Sequence, residues 1–433
     1  MSALILRGGR VIDPRNGVDG VRDVWLEAGR VKAVAERIDA PNGTPELDVR
    51  GQWVVPGLVD LHTHLREPGE EGKETILTGS RAAVAGGFCA VAAMPNTRMV
   101  NDSAAVTELV KARAREANLC RVFPVGAITK GLKGEELADM GELKAAGCVA
   151  VTDDGRPVMS AGLMRRALQY AQVLDLPVMV HEEDLTLSAG GVMTDGARAT
   201  RLGLGPIPPS AEVAMVARDL VLLREVGGHL HFAHLSCEES VRLVREAKRQ
   251  GLHVTAEATP HHFTLTDVAV EGYDTHAKMN PPLRHERDVH AVREGLADGT
   301  IDAIATDHAP HGVLDKQVTF DLATNGILGL ESALPLTLAL VRASVLDARR
   351  AVELLSAAPA RTFGLPGGHL GVGAPGDVTL IDPAREWTFD AARSYSKSRN
   401  TPFHGWKMVG QVTRTIVGGR VVYEDGVVRE ETT

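Results

Sequence analysis

The chain has 433 residues, of which 44% are hydrophobic and 24% charged, a balance that excludes intrinsic disorder and fits a soluble globular protein. Lys plus Arg number 47 against 56 Asp plus Glu, so the formal charge of −9 argues against partners such as nucleic acid or an anionic membrane. No apolar run nears the roughly 18 residues that span a bilayer, and the four cysteines (Cys89, Cys120, Cys148, Cys237) form no CxxC pair, so buried thiols in a reducing, cytoplasmic setting are expected.

The opening residues from Met1 show neither the basic n-region nor the long apolar segment of a signal peptide. Residues 3–6, 21–26 and 30–34 read as short strands, separated by turns at Gly8-Gly9, Asn16-Gly17 and Asn42-Gly43. From residue 53 the pattern changes. Apolar strand-like runs at 53–61, 88–94, 121–128, 148–152, 177–180, 229–234, 253–258 and 301–306 alternate with helix-like segments such as 74–85, 104–117, 163–174, 211–226, 238–250 and 286–297. Alternation of this kind predicts a parallel sheet with right-handed crossovers, and eight repeats predict a closed (β/α)8 barrel, an α/β fold, over residues 53–365. An open doubly wound sheet is the alternative, weakened by the lack of GxGxxG after the first strand. The C-terminal stretch returns to strands at 377–381, 412–417 and 420–423, with Gly418-Gly419 as a turn. Neither end has enough strands to bury a sheet face alone, so residues 1–52 and 366–433 are expected to meet in one small β-sandwich domain. The longest irregular stretches, 182–209 and 311–329, would both lie at the barrel mouth.

The densest chemical signal is Asp60-Leu61-His62-Thr63-His64-Leu65-Arg66, at the end of the first barrel strand. Residues two apart on a strand project to one side, so His62 and His64 can hold one metal. Taken alone, the pair could equally be packed or solvated histidines. Polar residues recur, however, at the ends of other strands: Asp153-Asp154 on the fourth, His181 on the fifth, His234 on the sixth and Asp307 on the eighth. Charges beyond buried runs persist when paired or metal-bound, and barrel chemistry occurs at this end of the strands. Four histidines and two carboxylates exceed the three protein ligands of one catalytic zinc, so two ions roughly 3.5–4 Å apart are expected, acidifying a shared water for hydrolysis of an amide-like bond or its reverse. Arg66, Asn96, Asn280 and His311 look suited to an anionic substrate, Arg by its planar fork and Asn by its paired donor and acceptor. The plainer alternatives are a surface salt bridge of Arg66 with Glu67 or Glu70, and turn roles for Asn96 and Asn280 beside proline.

With these segments in view, the chain resembles dihydroorotases of the amidohydrolase superfamily, the bacterial monofunctional type near allantoinases and hydantoinases. The resemblance rests on Asp60–Gly69, Lys73-Glu74-Thr75, Met94-Pro95-Asn96-Thr97, Thr259-Pro260-His261-His262, Asn280-Pro281-Pro282-Leu283-Arg284 and Ala305–His311, and spans nearly the whole chain. It implies zinc-dependent, reversible cyclisation of N-carbamoyl-L-aspartate to L-dihydroorotate and water in pyrimidine synthesis. By position, His62 and His64 would bind the more buried zinc and His181 and His234 the second, with Asp307 as ligand and general acid/base. Arg66, Asn96 and His311, beside His64, would bind the substrate carboxylate, and Asn280 the ureide edge. A homodimer is a family expectation, and association with an aspartate transcarbamoylase stays open.

Two departures from the family pattern stand out. Many relatives bridge their metals with a carbamylated lysine on the fourth strand, whereas this strand ends in Asp153-Asp154-Gly155 and Lys144 precedes it. Asp154, next to Gly155, is the expected ligand, with Asp153 the alternative, and the second zinc is expected to be held more weakly. Relatives usually carry Ala-Pro-Phe-Gly in the mobile loop where this chain has Ala323-Thr324-Asn325-Gly326, so the backbone at Asn325 and Gly326 is expected to contact the substrate ring. Two other readings compete: a hydantoinase-type or allantoinase-type enzyme, and an inactive scaffold for the transcarbamoylase. The absent lysine and the presence of Arg66 count against the first. The complete set of ligands counts against the second.

Overall fold

The structure is a computed structural model that describes residues 3–430. Met1 and Ser2, and residues 431–433, lie outside it. Its central body is a ring of parallel strands. Leu58–Thr63, Phe88–Ala93 and Arg121–Pro124 form one arc, and Val151–Thr152, Val178–Val180, Leu230–Phe232, Val254–Ala258 and Ala303–Ile304 form the other. Single bridges join the arcs at Gly126 to Val151 and at Thr63 to His308, which closes the predicted eight-stranded barrel.

Strand alternation explains the packing. Val178, Val180, Leu230, Phe232, Val254 and Ala256 point outward into the core shared with the helices. Small residues (Ala90, Ala92, Ala150, Ala233, Ala303, Ala305) fill the interior around Leu61 and Met179, and Phe363 and Leu365 pack against this cluster. The flanking helices begin at polar caps. Thr75 and Thr78 form a reciprocal capping box at Ile76–Ala85, and Ser160 accepts from Leu163 N at Ala161–Val173. Glu238–Arg249 buries Ser240, Val241, Val244 and Ala247, with Glu238 and Glu239 in its first turn and Lys248 and Arg249 in its last, as the helix dipole favours. No helix of the described residues is long and apolar enough to cross a membrane.

Both ends of the chain build the second domain, a nine-stranded sheet. Ala3–Asp13 pairs antiparallel with Val18–Glu27 and parallel with Trp53–Pro56, which in turn pairs antiparallel with Val378–Thr388. Leu6, Val24, Val54, Leu380 and Ile416 meet in its core. The apolar run 53–61 is therefore two strands, not one. Trp53–Pro56 belongs to the terminal sheet and Leu58–Thr63 to the barrel, with Gly57 between them. The break has a local cause. Gly57 donates its N–H to Asp377 O, and a Cβ there would lie 2.4 Å from Cys89 Sγ. The long stretches at the mouth are also less irregular than their composition suggests. Met193–Thr194 pairs with Pro206–Ile207 around a helix at Ala197–Leu202, and Val313–Lys316 is a helical turn.

Candidate metal centre

Six side chains from five barrel strands converge at the mouth. His62 lies on the first strand and His64 just past its end, Asp154 follows the fourth, His181 the fifth, His234 the sixth and Asp307 the eighth, and all are buried. Two of them adopt backbone conformations uncommon for L-residues, His234 at φ 29° and Asp307 at φ 44°, the kind of strain that collects at functional sites.

Hydrogen bonding fixes which imidazole nitrogens face inward. His62 Nδ1 lies 2.7 Å from Glu257 Oε1, His64 Nδ1 2.9 Å from Asn96 Oδ1 and His181 Nε2 3.1 Å from Glu183 Oε2. Each partner is an acceptor, so each ring donates outward and turns its other nitrogen into the site. His62 Nε2 then lies 3.4 Å from Asp154 Oδ1 and 3.5 Å from Asp307 Oδ1, and His64 Nε2 lies 2.9 Å from Asp307 Oδ1 and 3.4 Å from Asp154 Oδ2. His181 Nδ1 faces His234 Nε2 at 3.0 Å, and both are 3.7 Å from Asp154 Oδ1.

Two buried ring nitrogens, His62 Nε2 and His234 Nδ1, have no hydrogen-bond partner. The ligand atoms of His62, His64 and Asp307 lie within 4.8 Å of one another, as do those of His62, Asp154 and His234. Imidazole nitrogens and carboxylates gathered with no lysine or arginine among their partners suit a divalent cation, so the residues fit a metal. The electrostatics agree. Burial disfavours a charged His62, yet Asp154, Asp307 and Glu257 raise its pKa well above the usual imidazole value. His181, also buried, is raised to about 10 by Asp154 and Glu183. Burial opposes ionisation of Asp154 and Asp307, but the neighbouring histidines hold both below the usual carboxylate range. The carboxylates thus draw positive charge to the cluster, as a proton on imidazole or as a bound cation.

The structure separates the two adjacent aspartates. Asp153 turns away and accepts from Ile128 N at 2.8 Å, Thr129 N at 3.0 Å and the Thr129 hydroxyl. Asp154 faces the histidines. Asn96 was expected at the substrate carboxylate. Here its amide oxygen accepts from His64 and its nitrogen donates to Asp154 Oδ2 at 3.1 Å, so it orients two members of the cluster. Asn280 Nδ2 donates to Glu183 Oε2 at 2.8 Å, behind His181.

Arg66 is only 9% exposed and forms no salt bridge with Glu67 or Glu70, which face Arg113 and Lys73 instead. Its Nε donates to Pro310 O at 3.1 Å and its Nη2 to His311 Nε2 at 3.2 Å. Burial lowers its pKa. Burial, then the charges of Arg66 and Lys316, push His311 down to about 2, so its ring is neutral. Among the described residues no carboxylate lies within ion-pair distance of Arg66. Gly326 packs on His311, where a Cβ would come within 2.7 Å of the ring; its N–H donates to Lys278 O, and Asn325 beside it is exposed.

Sequence reasoning missed the residues behind this cluster. Glu257 bonds His62 and His231, and the imidazoles hold its pKa at about 2 against the effect of burial. Asp60, raised to about 7 by burial, accepts from His62 N, Thr306 N and Thr306 Oγ1 and ties the first strand to the eighth. Asn400 returns from the C-terminal segment to hold His311 N and Gly326 O. A glutamate inside the apolar run 253–258 was the one available signal for Glu257.

A family model described as Dihydro-orotase-like matches residues 51–240. A dihydroorotase of Anaeromyxobacter dehalogenans (strain 2CP-C) is 62% identical over 425 residues, covering 98% of each chain. One of Geobacter sp. (strain M21) is 54% identical over 423 residues, covering 98% of this chain and 100% of its own. Among solved structures, an L-hydantoinase (dihydropyrimidinase) from Arthrobacter aurescens superposes with a TM-score of 0.90 at 26% identity, over 100% of this chain and 98% of its own.

Proposed function

The chain belongs to the dihydroorotase family of cyclic amide hydrolases, and we propose how its residues interconvert N-carbamoyl-L-aspartate and L-dihydroorotate, with release or uptake of water. His62, His64 and Asp307 would hold one zinc, and Asp154, His181 and His234 a second, with Asp154 serving both sides. Bound there, zinc supplies Lewis acidity toward the amide carbonyl and lowers the pKa of water. Asp307 takes the proton from water as the new C–O bond forms and delivers it to the ring nitrogen as the C–N bond breaks; cyclisation runs the same path backwards. Glu257, Asn96 and Glu183 keep the imidazoles turned inward.

The observation that carries the substrate assignment is Arg66, a buried guanidinium without a carboxylate partner. Burying an unpaired cation is costly, and a substrate carboxylate supplies the missing anion through the planar fork. The neutral rings of hydantoin and allantoin carry no such group. His311, neutral and held against Arg66 by Asn400, steers that fork, and the backbone at Asn325 and Gly326 would border the ring. The four free, buried cysteines suit a reducing cytoplasm, and a homodimer remains a family expectation for a mass measurement to decide.

A zinc count beside a spectrophotometric assay with dihydroorotate, allantoin and hydantoin tests this reading. Turnover of dihydroorotate with no activity on the neutral rings supports it. A preference for hydantoin would refute it.

A further inference from the structure

A file of polar side chains runs from the metal centre along the inward faces of the strands Leu230–Phe232 and Val254–Ala258. Glu257 Oε1 lies 2.7 Å from His62 Nδ1, and its Oε2 lies 3.1 Å from His231 Nε2. His231 Nδ1 is 2.8 Å from Thr255 Oγ1, which is also 2.8 Å from His229 Nε2. His62, Glu257 and His231 are completely buried, and the edge of the Phe363 ring packs against His231. His229 is half-buried and stacks on the exposed His253 with ring centroids 4.1 Å apart.

With His62 neutral as a zinc ligand and His231 neutral, one proton arrangement satisfies every member. An ionised Glu257 accepts from both neighbours, so His62 carries its proton on Nδ1 and His231 on Nε2. A neutral His231 then has a bare Nδ1, which must accept the Thr255 hydroxyl proton. Thr255, having donated, accepts from His229, whose proton is therefore on Nε2. We infer that Glu257, His231, Thr255 and His229 form one directed hydrogen-bond chain that locks His62 with its Nε2 lone pair turned into the metal site. This rests on the reading of His62 as a zinc ligand. Glu257 and His231 are positioning residues, and Glu257 also accepts from His234 N at 3.4 Å, joining two ligand-bearing strands.

The test uses the full chain labelled with 15N-histidine and loaded with zinc, which keeps His62 neutral, with long-range 1H–15N spectra reporting each tautomer. The parent is expected to show protons on Nδ1 of His62 and on Nε2 of His231 and His229. In Glu257→Gln the new amide presents NH2 to one imidazole. If it faces His231, that ring, Thr255 and His229 all reverse; if it faces His62, the His62 proton moves to the metal side. Either result supports the chain, together with a zinc Kd raised about 10–100-fold in chelator competition. Unchanged tautomers would overturn it, whatever the zinc affinity. Thr255→Val, which spares Glu257 and provides a second route should Glu257→Gln fold poorly, is expected to release His229 from its single tautomer and to abolish any response of His229 to Glu257→Gln in the double variant. A response that persists in the double variant would also overturn the chain. Zinc content unaltered by His62→Ala would instead overturn the metal reading and, with it, the role at His62. The tautomers of His231 and His229 decide the chain separately.

Discussion

Replacing Arg66 with methionine removes a buried cation that has no carboxylate within ion-pair distance among the described residues. In the complex its fork would make two charge-assisted hydrogen bonds to the substrate, each worth about 1.5–3 kcal/mol. Their loss predicts KM for dihydroorotate raised about 10²–10⁴-fold, at 1.4 kcal/mol per tenfold. Arg66→Lys keeps the charge but not the fork, and is expected to raise KM by about 10–100-fold. Stability should behave differently. Methionine leaves the Pro310 carbonyl and His311 Nε2 without their donor, at about 1–3 kcal/mol, but relieves an unpaired buried charge, which offsets a similar amount. For a chain of this length about 1 kcal/mol corresponds to about 1 °C, so Tm should stay within about 2 °C of the parent. Initial rates over a range of substrate, with calorimetry on the same preparations, separate the two effects. An unchanged KM with a Tm lowered by several degrees would show that Arg66 is structural and sink the argument.

Asp307→Asn should keep the fold but lose turnover by at least about 10³-fold, since an amide cannot carry the proton; near-normal kcat excludes the acid/base role. Asp154→Ala should lower bound zinc with little effect on Tm, whereas Asp153→Ala, which removes the acceptor for Ile128 N and Thr129 N, should lower Tm by a few degrees and leave zinc in place. The reverse pattern in metal analysis would exchange their roles. Zinc binds neutral imidazole, and in the zinc-free protein the site carboxylates raise His62 and His181. Protons therefore compete more strongly as pH falls, and chelator competition should show zinc affinity increasing from about pH 6 to pH 9. A flat profile would contradict the protonation states drawn from the geometry.

Much of this architecture could be read from residue order because two periodicities alternate along the chain. His62, His64, His181, His234 and Asp307 stand out since each ends an apolar strand. What escaped is set by contacts between distant segments. Nothing local distinguishes Asp153 from Asp154; the difference is that the loop at Ile128 and Thr129 reaches one and not the other. That Asn96 also bonds His64 and Asp154, 32 and 58 residues away, is not visible in the local sequence. The run from Trp53 to Leu61 reads as one strand because Val54, Val55, Leu58 and Val59 are alike in chemistry. Only the competing sheet edge, Val378–Thr388, draws its first half away.

That edge has a consequence for synthesis. Pro56 is in register with Val378, so the strand beside it emerges on the order of 300 residues later. At about 5–20 residues per second the ribosome needs roughly 15–60 s to deliver it. Until then Trp53, Val54 and Val55 remain on the nascent chain as an open, apolar border, the kind of surface that invites association with other chains. The barrel can gather its strands in order as they appear, but the terminal sheet can close only near the end of translation. Slower release or chaperone holding should therefore help the yield of folded enzyme more than changes within the barrel.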